Sequence, residues 1–287
     1  MKPELIIRIL TIGSLAGLLA AVGLRLTFSQ VTESVKHCRF ILILILNFVA
    51  VPLLCATAAR LFGFGHETTI AMVLLGAAPF APVVPVFARM ARADLPLAAG
   101  LTTIYPVISA LITPWICGII LNLVIGAEAV RFATGQVMVV LVATTTAPLL
   151  LGVGVNQLAP RFAQRILRPL EVFSEATGAL SLCYVTTVEF SSITAMSAKS
   201  LVVMAVIFEI CLIAGYCLGG ATGSRRVVGL GTSNRNIALA LLVALQSFPE
   251  MHVLSAVVGN GLLLILLGLV HVGFWRLQDL RADGRSR

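Results

Sequence analysis

The sequence "VVGLGTSNRNIALALLVALQSF", residues 227–248, places a fixed positive charge inside an otherwise apolar run. Its centre, "GTSNRN", combines glycine, hydroxyl and amide side chains with Arg235. Arginine at the centre of a membrane helix costs at least about 2.5 kcal/mol on insertion scales. Glycine and short polar side chains also offer the backbone alternatives to a continuous helix. We therefore expect a broken membrane helix here, with Arg235 retained for a specific purpose.

The composition predicts an integral membrane protein. Of the 287 residues, 59% are hydrophobic and only 11% are charged, whereas a soluble domain has roughly 25% charged residues. Apolar runs of about 17–25 residues are long enough to span a bilayer as helices. We predict an all-α fold in one membrane domain, residues 1–287, with a basic tail at 276–287. The nine expected spans are 9–28, 40–62, 68–88, 95–125, 133–157, 173–195, 199–221, 227–248 and 252–275.

The basic residues are distributed unevenly over alternate loops. Fourteen of the twenty Lys and Arg residues fall on one predicted face and five on the other, which leaves Arg235 inside a span. The positive-inside rule then predicts a cytoplasmic C-terminus, an outside N-terminus and a multi-pass protein of the plasma (inner) membrane. This distribution explains the net charge of +8 without a nucleic-acid partner. An enzyme is not expected, because neither a nucleophile with its base nor a metal cluster appears at a usable spacing.

The third run, "TTIAMVLLGAAPFAPVVPVFARM" at residues 68–90, is also expected to be broken. Pro79, Pro82 and Pro85 each remove a backbone donor and clash with the preceding turn. Broken backbone at membrane depth is tolerated only inside protein or beside a wet cavity. Interrupted spans at matching places in two halves are typical of the binding site of an inverted-repeat transporter. The alternative is that prolines and polar side chains serve only helix packing.

Two stretches, "GTSNRNIALALLVALQSF" and "GAAPFAPVVPVFARMARADLPLAAGLTTIYPVISALITP" at 76–114, resemble the bile acid:sodium symporter family. The resemblance extends over about residues 9–275 and fits the nine-helix members that lack the family's first helix. It implies two broken helices that cross between a core domain (about 40–125 and 173–275) and a panel domain (about 9–28 and 133–157, with part of the later helices). It also implies organic-anion substrates and sodium coupling.

The resemblance also implies where the sodium ligands of the family would fall. The family's acidic residue corresponds to Gly231, and one of its glutamines corresponds to Arg235. Because sodium needs several hard oxygen ligands, with a carboxylate to offset dehydration, most of the sodium site is expected to be missing. The other corresponding positions are Val84 and Pro85 for a Ser-Asn pair, Asn47 for a second glutamine, and Thr102 and Thr103, which keep hydroxyl groups.

The predicted helix breaks and the family resemblance together define the candidate site residues. The expected substrate-binding set is Arg235, Asn234, Asn236, Ser233, Thr232, Pro82 and Pro85. A second set, with possible roles in coupling or as a counter-ion, is Glu209, Asn47, Thr102 and Thr103. Arg235 either binds a substrate carboxylate beside the N-terminus of the following half-helix or pairs with a buried acid. Glu209 is the first candidate for that acid and Glu189 the second, and Glu209 is alternatively a proton carrier.

The function predicted from these observations is secondary transport of an organic anion by alternating access. Sodium-independent transport or exchange is the first expectation, proton coupling through Glu209 the second and sodium coupling the third. No cofactor is expected, and sodium is doubtful as a bound ion. The expected partners are a small organic anion and the lipid bilayer. The alternative function is a non-transporting membrane sensor or scaffold that retains the transporter fold.

Overall fold

Every regular element in the described part of the chain is a helix. The computed structural model describes residues 3–25, 39–126, 132–248 and 252–285, with side chains to residue 281. The helices are α1 (Pro3–Arg25), α2 (Phe40–Leu61), α3 (His66–Gly76), α4 (Val84–Met90), α5 (Leu95–Val124), α6 (Thr134–Leu158), α7 (Pro160–Val188), α8 (Phe190–Thr194), α9 (Ala198–Leu218), α10 (Thr222–Ser233), α11 (Ile237–Ser247) and α12 (Val253–Arg285).

Seven helical segments of this described part are long and apolar enough to cross a membrane. They are α1, α2, α5, α6, α9, α10 with α11, and α12, which confirms an all-α membrane protein. The predicted number of nine spans stays a prediction. The run at 68–88 is divided between two short helices, α3 and α4. The run at 173–195 belongs to a helix that begins earlier, at Pro160, and ends at Val188.

Both predicted helix breaks are confirmed. The first occupies residues 77–83, between α3 and α4, where Phe80 adopts the left-handed conformation with φ of 56°. The second is shorter and covers residues 234–236, between α10 and α11. There the side chain of Asn236 accepts a hydrogen bond from the backbone N–H of Leu239 (3.1 Å). Asn236 therefore caps α11 and satisfies one of the donors that every helix start leaves free.

Helix α1 packs mainly against α7 and the C-terminal half of α6. These contacts bring together the two segments predicted for the panel domain and add α7 to them. Of the broken helices, α4 and α10 both pack against α5 and α12, whereas α11 packs against α12 and also against α1. The division of the chain into a core and a panel that move relative to each other stays a prediction.

The contact between α1 and α6 depends on two glycines. A Cβ atom on Gly152 would lie 2.3 Å from the carbonyl oxygen of Ala20. A Cβ on Gly23 would lie 2.2 Å from the carbonyl oxygen of Leu149. Both distances are well inside van der Waals contact and involve backbone atoms, which cannot rotate away. Small residues at such positions allow membrane helices to approach closely.

Replacing Gly152 with alanine should therefore lower the stability of the protein. We expect Gly152→Ala to cost about 1–3 kcal/mol, because the added methyl group forces α1 and α6 apart. Gly154→Ala is a matched control on the same helix, since nothing lies within 4 Å of its Cβ position. The apparent melting temperature in detergent measures both variants. Equal melting temperatures for the two variants would contradict this packing account.

Polar contacts at the two ends of the bundle agree with the predicted grouping of charges. At one end Arg8 donates to Gln246 (2.7 Å) and Lys199 donates to the carbonyl oxygen of Phe62 (2.7 Å). At the other end Arg226 binds Asp279 through two hydrogen bonds, each 2.7 Å long. The assignment of the second end to the cytoplasm stays a prediction. Five of the basic residues lie outside the described side chains: Lys2, Lys36, Arg131, Arg285 and Arg287.

Candidate functional site: the crossing of the two broken helices

The two helix breaks bind each other through their backbones. Phe80 N–H donates to the carbonyl oxygen of Gly231 (3.2 Å), and Ala81 N–H donates to that of Asn234 (3.2 Å). In return, Asn236 N–H donates to the carbonyl oxygen of Ala78 (2.8 Å). We call residues 78–81 and 231–236 the crossing. Each break thus supplies hydrogen-bond partners that the other lost when its helix was interrupted, which lipid cannot provide.

Phe80 fills the space beside Gly231. A Cβ atom on Gly231 would lie 2.0 Å from Cε1 of the Phe80 ring. The ring is almost fully buried and stacks on Tyr105, with ring centroids 4.1 Å apart. Gly231 is the position where the resemblance places an acidic residue in the family. In this chain the position has no room for a side chain while Phe80 holds its place.

Arg235 is buried in the protein, and no carboxylate among the described residues pairs with it. Its side chain belongs to a residue that is 3% exposed, and Nη1 donates to Oδ1 of Asn47 (3.2 Å). Cys211, on α9, lies beside Arg235. Nη2 is buried and has no hydrogen-bond partner. Among the ion pairs of the described residues, none includes Arg235.

Asn47 connects Arg235 to two helices, α2 and α10. It lies in a π-helical turn, Leu46–Ala50, of α2 and is completely buried. Its Nδ2 donates to the carbonyl oxygen of Ile43 (2.9 Å) and to Oγ1 of Thr232 (3.2 Å). These bonds orient the amide so that its oxygen faces the Arg235 guanidinium. The two residues that the resemblance assigns to glutamines of the family, Asn47 and Arg235, are therefore adjacent in the structure.

The prediction that Glu209 is the counter-ion of Arg235 is wrong. Oε1 of Glu209 lies 2.9 Å from Nε2 of His271, on α12. Glu209 is therefore on a different face of α9 from Cys211, which contacts Arg235. Glu189, the second candidate, is half-buried at the C-terminal end of α7 and forms no described ion pair with Arg235. The hydropathy of the sequence indicates how deep Glu209 lies in the membrane, but it does not indicate on which face of α9 its side chain lies.

The other predicted substrate ligands of the second break are fully buried and bond to the protein. Ser233 donates to the carbonyl oxygen of Gly229 (2.9 Å), and Asn234 donates to that of Leu230 (3.2 Å). Oδ1 of Asn234 is buried without a partner and lies against Gly268 of α12. The substrate-binding role predicted for these residues, and for Thr232 and Asn236, stays a prediction.

The predicted proline and threonine residues of the first half lie at the end of the first break or after it. Pro82 and Pro85 are half-buried, at the end of the break and in the first turn of α4. Thr102 and Thr103 donate to the carbonyl oxygens of Ala98 and Ala99 in their own helix, both at 2.7 Å. The structure thus brings Asn47, Thr232 and Arg235 into one hydrogen-bonded group. It does not bring Thr102, Thr103 or Glu209 into that group.

A cavity of about 130 Å³ lies where α11 begins, between α1 and α7. The sequence analysis did not identify its polar residues. Thr11 and Ser181 bond each other through their hydroxyl groups (2.9 Å), and Ser14 donates to the carbonyl oxygen of Ser174 (3.0 Å). The spacing of Ser174, Gly178 and Ser181, one small residue per helical turn, is the signal that could have indicated this face. The lining residues are Thr11, Ser14, Gly178, Ser181, Leu182, Ile237, Ala238 and Leu241.

Comparison with known proteins agrees with this architecture. The sequence profile described as "Sodium Bile acid symporter family" matches residues 14–196, more than half of the chain. The chain belongs to this family. It is therefore a multi-pass membrane protein of a transporter family, not of an enzyme family. The matched range includes the first break and ends before the second, so it does not include Arg235.

A curated relative extends the similarity over the second break. It is the protein of Arabidopsis thaliana named "Probable sodium/metabolite cotransporter BASS3, chloroplastic", with 24% identity over 281 aligned residues. The alignment covers 93% of this chain and 63% of the relative. The chain thus spans less than two thirds of the length of this curated relative. The family and this relative are both named for sodium-coupled transport.

Removing the Asn47 side chain should destabilise the crossing. Asn47→Ala deprives Arg235 and Thr232 of a buried partner, and we expect a loss of about 1–3 kcal/mol. Asn260→Ala is the control, because Asn260 is an equally buried asparagine that donates only to Ala256 in its own helix (2.9 Å). The loss of stability of each variant is measured by thermal unfolding. A smaller loss for Asn47→Ala than for Asn260→Ala would contradict the connecting role of Asn47.

Proposed function

We propose that this protein is a secondary transporter for a small organic anion and that it works without bound sodium. In this proposal the Arg235 guanidinium is a permanent cation at the place where relatives bind a mobile one. The observation that carries the proposal is the buried guanidinium, bonded to Asn47 through Nη1 and without a partner at Nη2.

Two features of the crossing support sodium independence. Sodium is a hard cation, and a carboxylate normally offsets the cost of removing its water. The position that the resemblance assigns to that carboxylate is Gly231, and the Phe80 ring occupies the adjacent space. At the position assigned to a glutamine ligand, Arg235 directs a positive charge at Asn47, a second assigned ligand. A cation at this point would repel a sodium ion.

The cavity at the start of α11 supports a small carboxylate as the substrate. Ile237 and Ala238, whose backbone N–H groups begin the helix, line it together with the hydroxyl-bearing Thr11 and Ser181. A helix N-terminus and hydroxyl donors favour a negatively charged group. The volume of about 130 Å³ is smaller than the roughly 300–1,000 Å³ of pockets that enclose drug-sized ligands. We therefore expect a substrate smaller than a bile acid.

The positive charge of Arg235 favours binding of an anion at the start of α11. Arg235 precedes Asn236 and Ile237 in the chain but is not among the residues that line the cavity, so its positive charge would act on an anion there through space and not by contact. Within the described residues no carboxylate neutralises the guanidinium, and in a low-dielectric interior its field is weakly screened. A bound anion would neutralise this charge, and release of the anion would restore it. Binding and the electrostatic state of the crossing are then linked.

Replacing Arg235 should affect anion binding more than stability. We expect Arg235→Met to leave the unliganded protein within about 1 kcal/mol of the wild type or above it, because it unpairs the buried Asn47 Oδ1 but also removes a buried charge that has no carboxylate partner among the described residues. Arg226→Met is the matched control, because it leaves the Asp279 carboxylate without its partner and should lower the free energy of unfolding by about 1.5–3 kcal/mol. Melting temperatures without added anion compare the two. Greater destabilisation by Arg235→Met would indicate a structural role and contradict the proposal.

The transport proposal itself is tested with a panel of carboxylates. Purified protein is mixed with pyruvate, succinate, benzoate or cholate, and the rise in melting temperature is measured in sodium buffer and in choline buffer, since binding to the folded state stabilises it. We expect one of the three smaller anions to stabilise the wild type equally in both buffers and not to stabilise Arg235→Met. Proteoliposomes loaded with that anion should then exchange it with labelled anion without sodium. Stabilisation that requires sodium, or stabilisation by none of the three, would overturn the proposal.

A further inference from the structure

Glu209 and His271 form a titratable pair outside the crossing. Glu209 lies near the middle of α9 and His271 lies on α12, with Oε1 and Nε2 2.9 Å apart. The two side chains are 43% and 24% exposed, toward the outer surface of the helix bundle. Both helices are among the segments able to cross a membrane. An acid and an imidazole at such a depth are costly, and ionisable residues in membrane spans commonly serve protons, ions or substrates.

The pair lies at an aromatic groove of about 410 Å³ between α9 and α12. The imidazole ring is 5.9 Å from the Phe208 ring and 6.1 Å from the Trp275 ring, measured between centroids. In these apolar surroundings a net charge is poorly solvated, so the charge state of the pair has large energetic consequences. The groove is lined by Leu212, Ile213, Tyr216, Val270, His271, Phe274 and Trp275.

One proton decides the net charge of the pair. With the proton, the imidazolium and the carboxylate form a neutral ion pair held by a hydrogen bond. Without it, a carboxylate with one negative charge stands beside a neutral imidazole. Imidazole gains and loses a proton in the physiological range. The protonated form therefore favours close contact between α9 and α12, and loss of the proton weakens that contact.

Other ionisable groups near the pair are already engaged or lie at a distance along the helices. Tyr216 lines the groove, and beyond Trp275 the charge of Arg226 is neutralised by Asp279. Cys211, on α9, faces Arg235. On α3, which packs against α12, Glu67 bonds the backbone N–H of His252 near the opposite end of α12. Within the described residues, Glu209 and His271 are thus each other's ionic partner.

The two helices that carry the pair also contact the crossing. On α9, Cys211 lies beside Arg235, only two residues after Glu209. On α12, Gly268 lies one turn before His271 and against Asn234, since a Cβ there would be 2.7 Å from Oδ1 of Asn234. A change in the contact between α9 and α12 would therefore move atoms that touch both Arg235 and Asn234. The residues on α9 and α12 provide two independent connections.

We propose that Glu209 and His271 form a proton-binding site whose occupancy is coupled to the crossing. The proposal rests on the proposed function only in treating the crossing as the transport site. Proton binding at the pair favours one packing of α9 and α12 against the two helix breaks, and proton release favours another. By reciprocity, any change at the crossing that prefers one packing alters the proton affinity of the pair.

The tryptophan beside His271 reports the proton directly. The chain has two tryptophans, and in a Trp115→Phe background Trp275 is the sole emitter. A positive charge 6.1 Å from the indole ring changes its fluorescence, so emission from the protein in detergent is recorded between pH 5 and 9. We expect one titration that His271→Gln abolishes and whose midpoint Glu209→Gln changes. A signal that persists in His271→Gln would overturn the assignment of the proton site.

The coupling is tested with a neutral substitution at the crossing. Asn234→Ala removes the amide that packs on Gly268 without changing any charge, and we expect it to shift the titration midpoint by at least about 0.7 pH unit, a fivefold change in proton affinity. Asn260→Ala is the control, because this buried asparagine of α12 bonds only its own helix. We expect that control to leave the midpoint unchanged. Equal midpoints for both variants would overturn the coupling.

Arg235→Met provides a second variant if Asn234→Ala does not fold. If the Arg235 charge acted on the Glu209–His271 pair only through space, its removal would raise the proton affinity of the pair and move the titration midpoint to higher pH. A midpoint that moves to lower pH therefore requires a change in packing and supports coupling. A midpoint that stays in place or moves to higher pH would overturn it. Neither titration contains an anion. Failure of the carboxylate panel therefore contradicts the transport proposal alone, whereas failure of the titrations contradicts the proton site alone.

Discussion

The structure depends on backbone hydrogen bonds between the two interrupted helices. Three such bonds join residues 78–81 to residues 231–236. Inside a bilayer an unpaired N–H or C=O group costs several kcal/mol, and lipid offers no partner. Neither break is therefore tolerable alone, and each supplies donors or acceptors for the other. This mutual requirement fixes where α3, α4, α10 and α11 meet, and the candidate site is built around that point.

The side chains at the crossing follow from the same constraint. The close approach of the two backbones leaves room for the Phe80 ring only because residue 231 is glycine, and the ring is held by stacking on Tyr105. With this space filled, the charge at the crossing comes from Arg235, which Asn47 orients from a third helix. In the proposed function, the site for a mobile cation that the family resemblance implies is replaced by a cation that is part of the chain. That exchange is the physical basis of the proposed sodium independence.

Sequence reasoning predicted the features that depend on composition and on local backbone chemistry. Membrane spans follow from apolar length, and both breaks, at residues 79–85 and 229–236, follow from proline, glycine and short polar residues. That the two breaks cross was expected only from the family resemblance. The direction of a side chain around its helix was not predictable. Glu209 and Cys211 are two residues apart on α9, yet one faces His271 and the other Arg235. The hydroxyl-lined cavity was missed because Thr11 and Ser181 are small polar residues in ordinary helices, and only packing of α1 on α7 brings them together.

The central claim is that a fixed guanidinium has replaced bound sodium at the crossing. Equilibrium binding of radioactive sodium to the purified protein tests it most directly, with Arg235→Gln measured beside the wild type at several sodium concentrations. The account predicts no saturable sodium binding to the wild type, because the Phe80 ring and the Arg235 charge occupy the region that the ion and its carboxylate ligand would need. Saturable binding of one or two sodium ions per wild-type chain would contradict it.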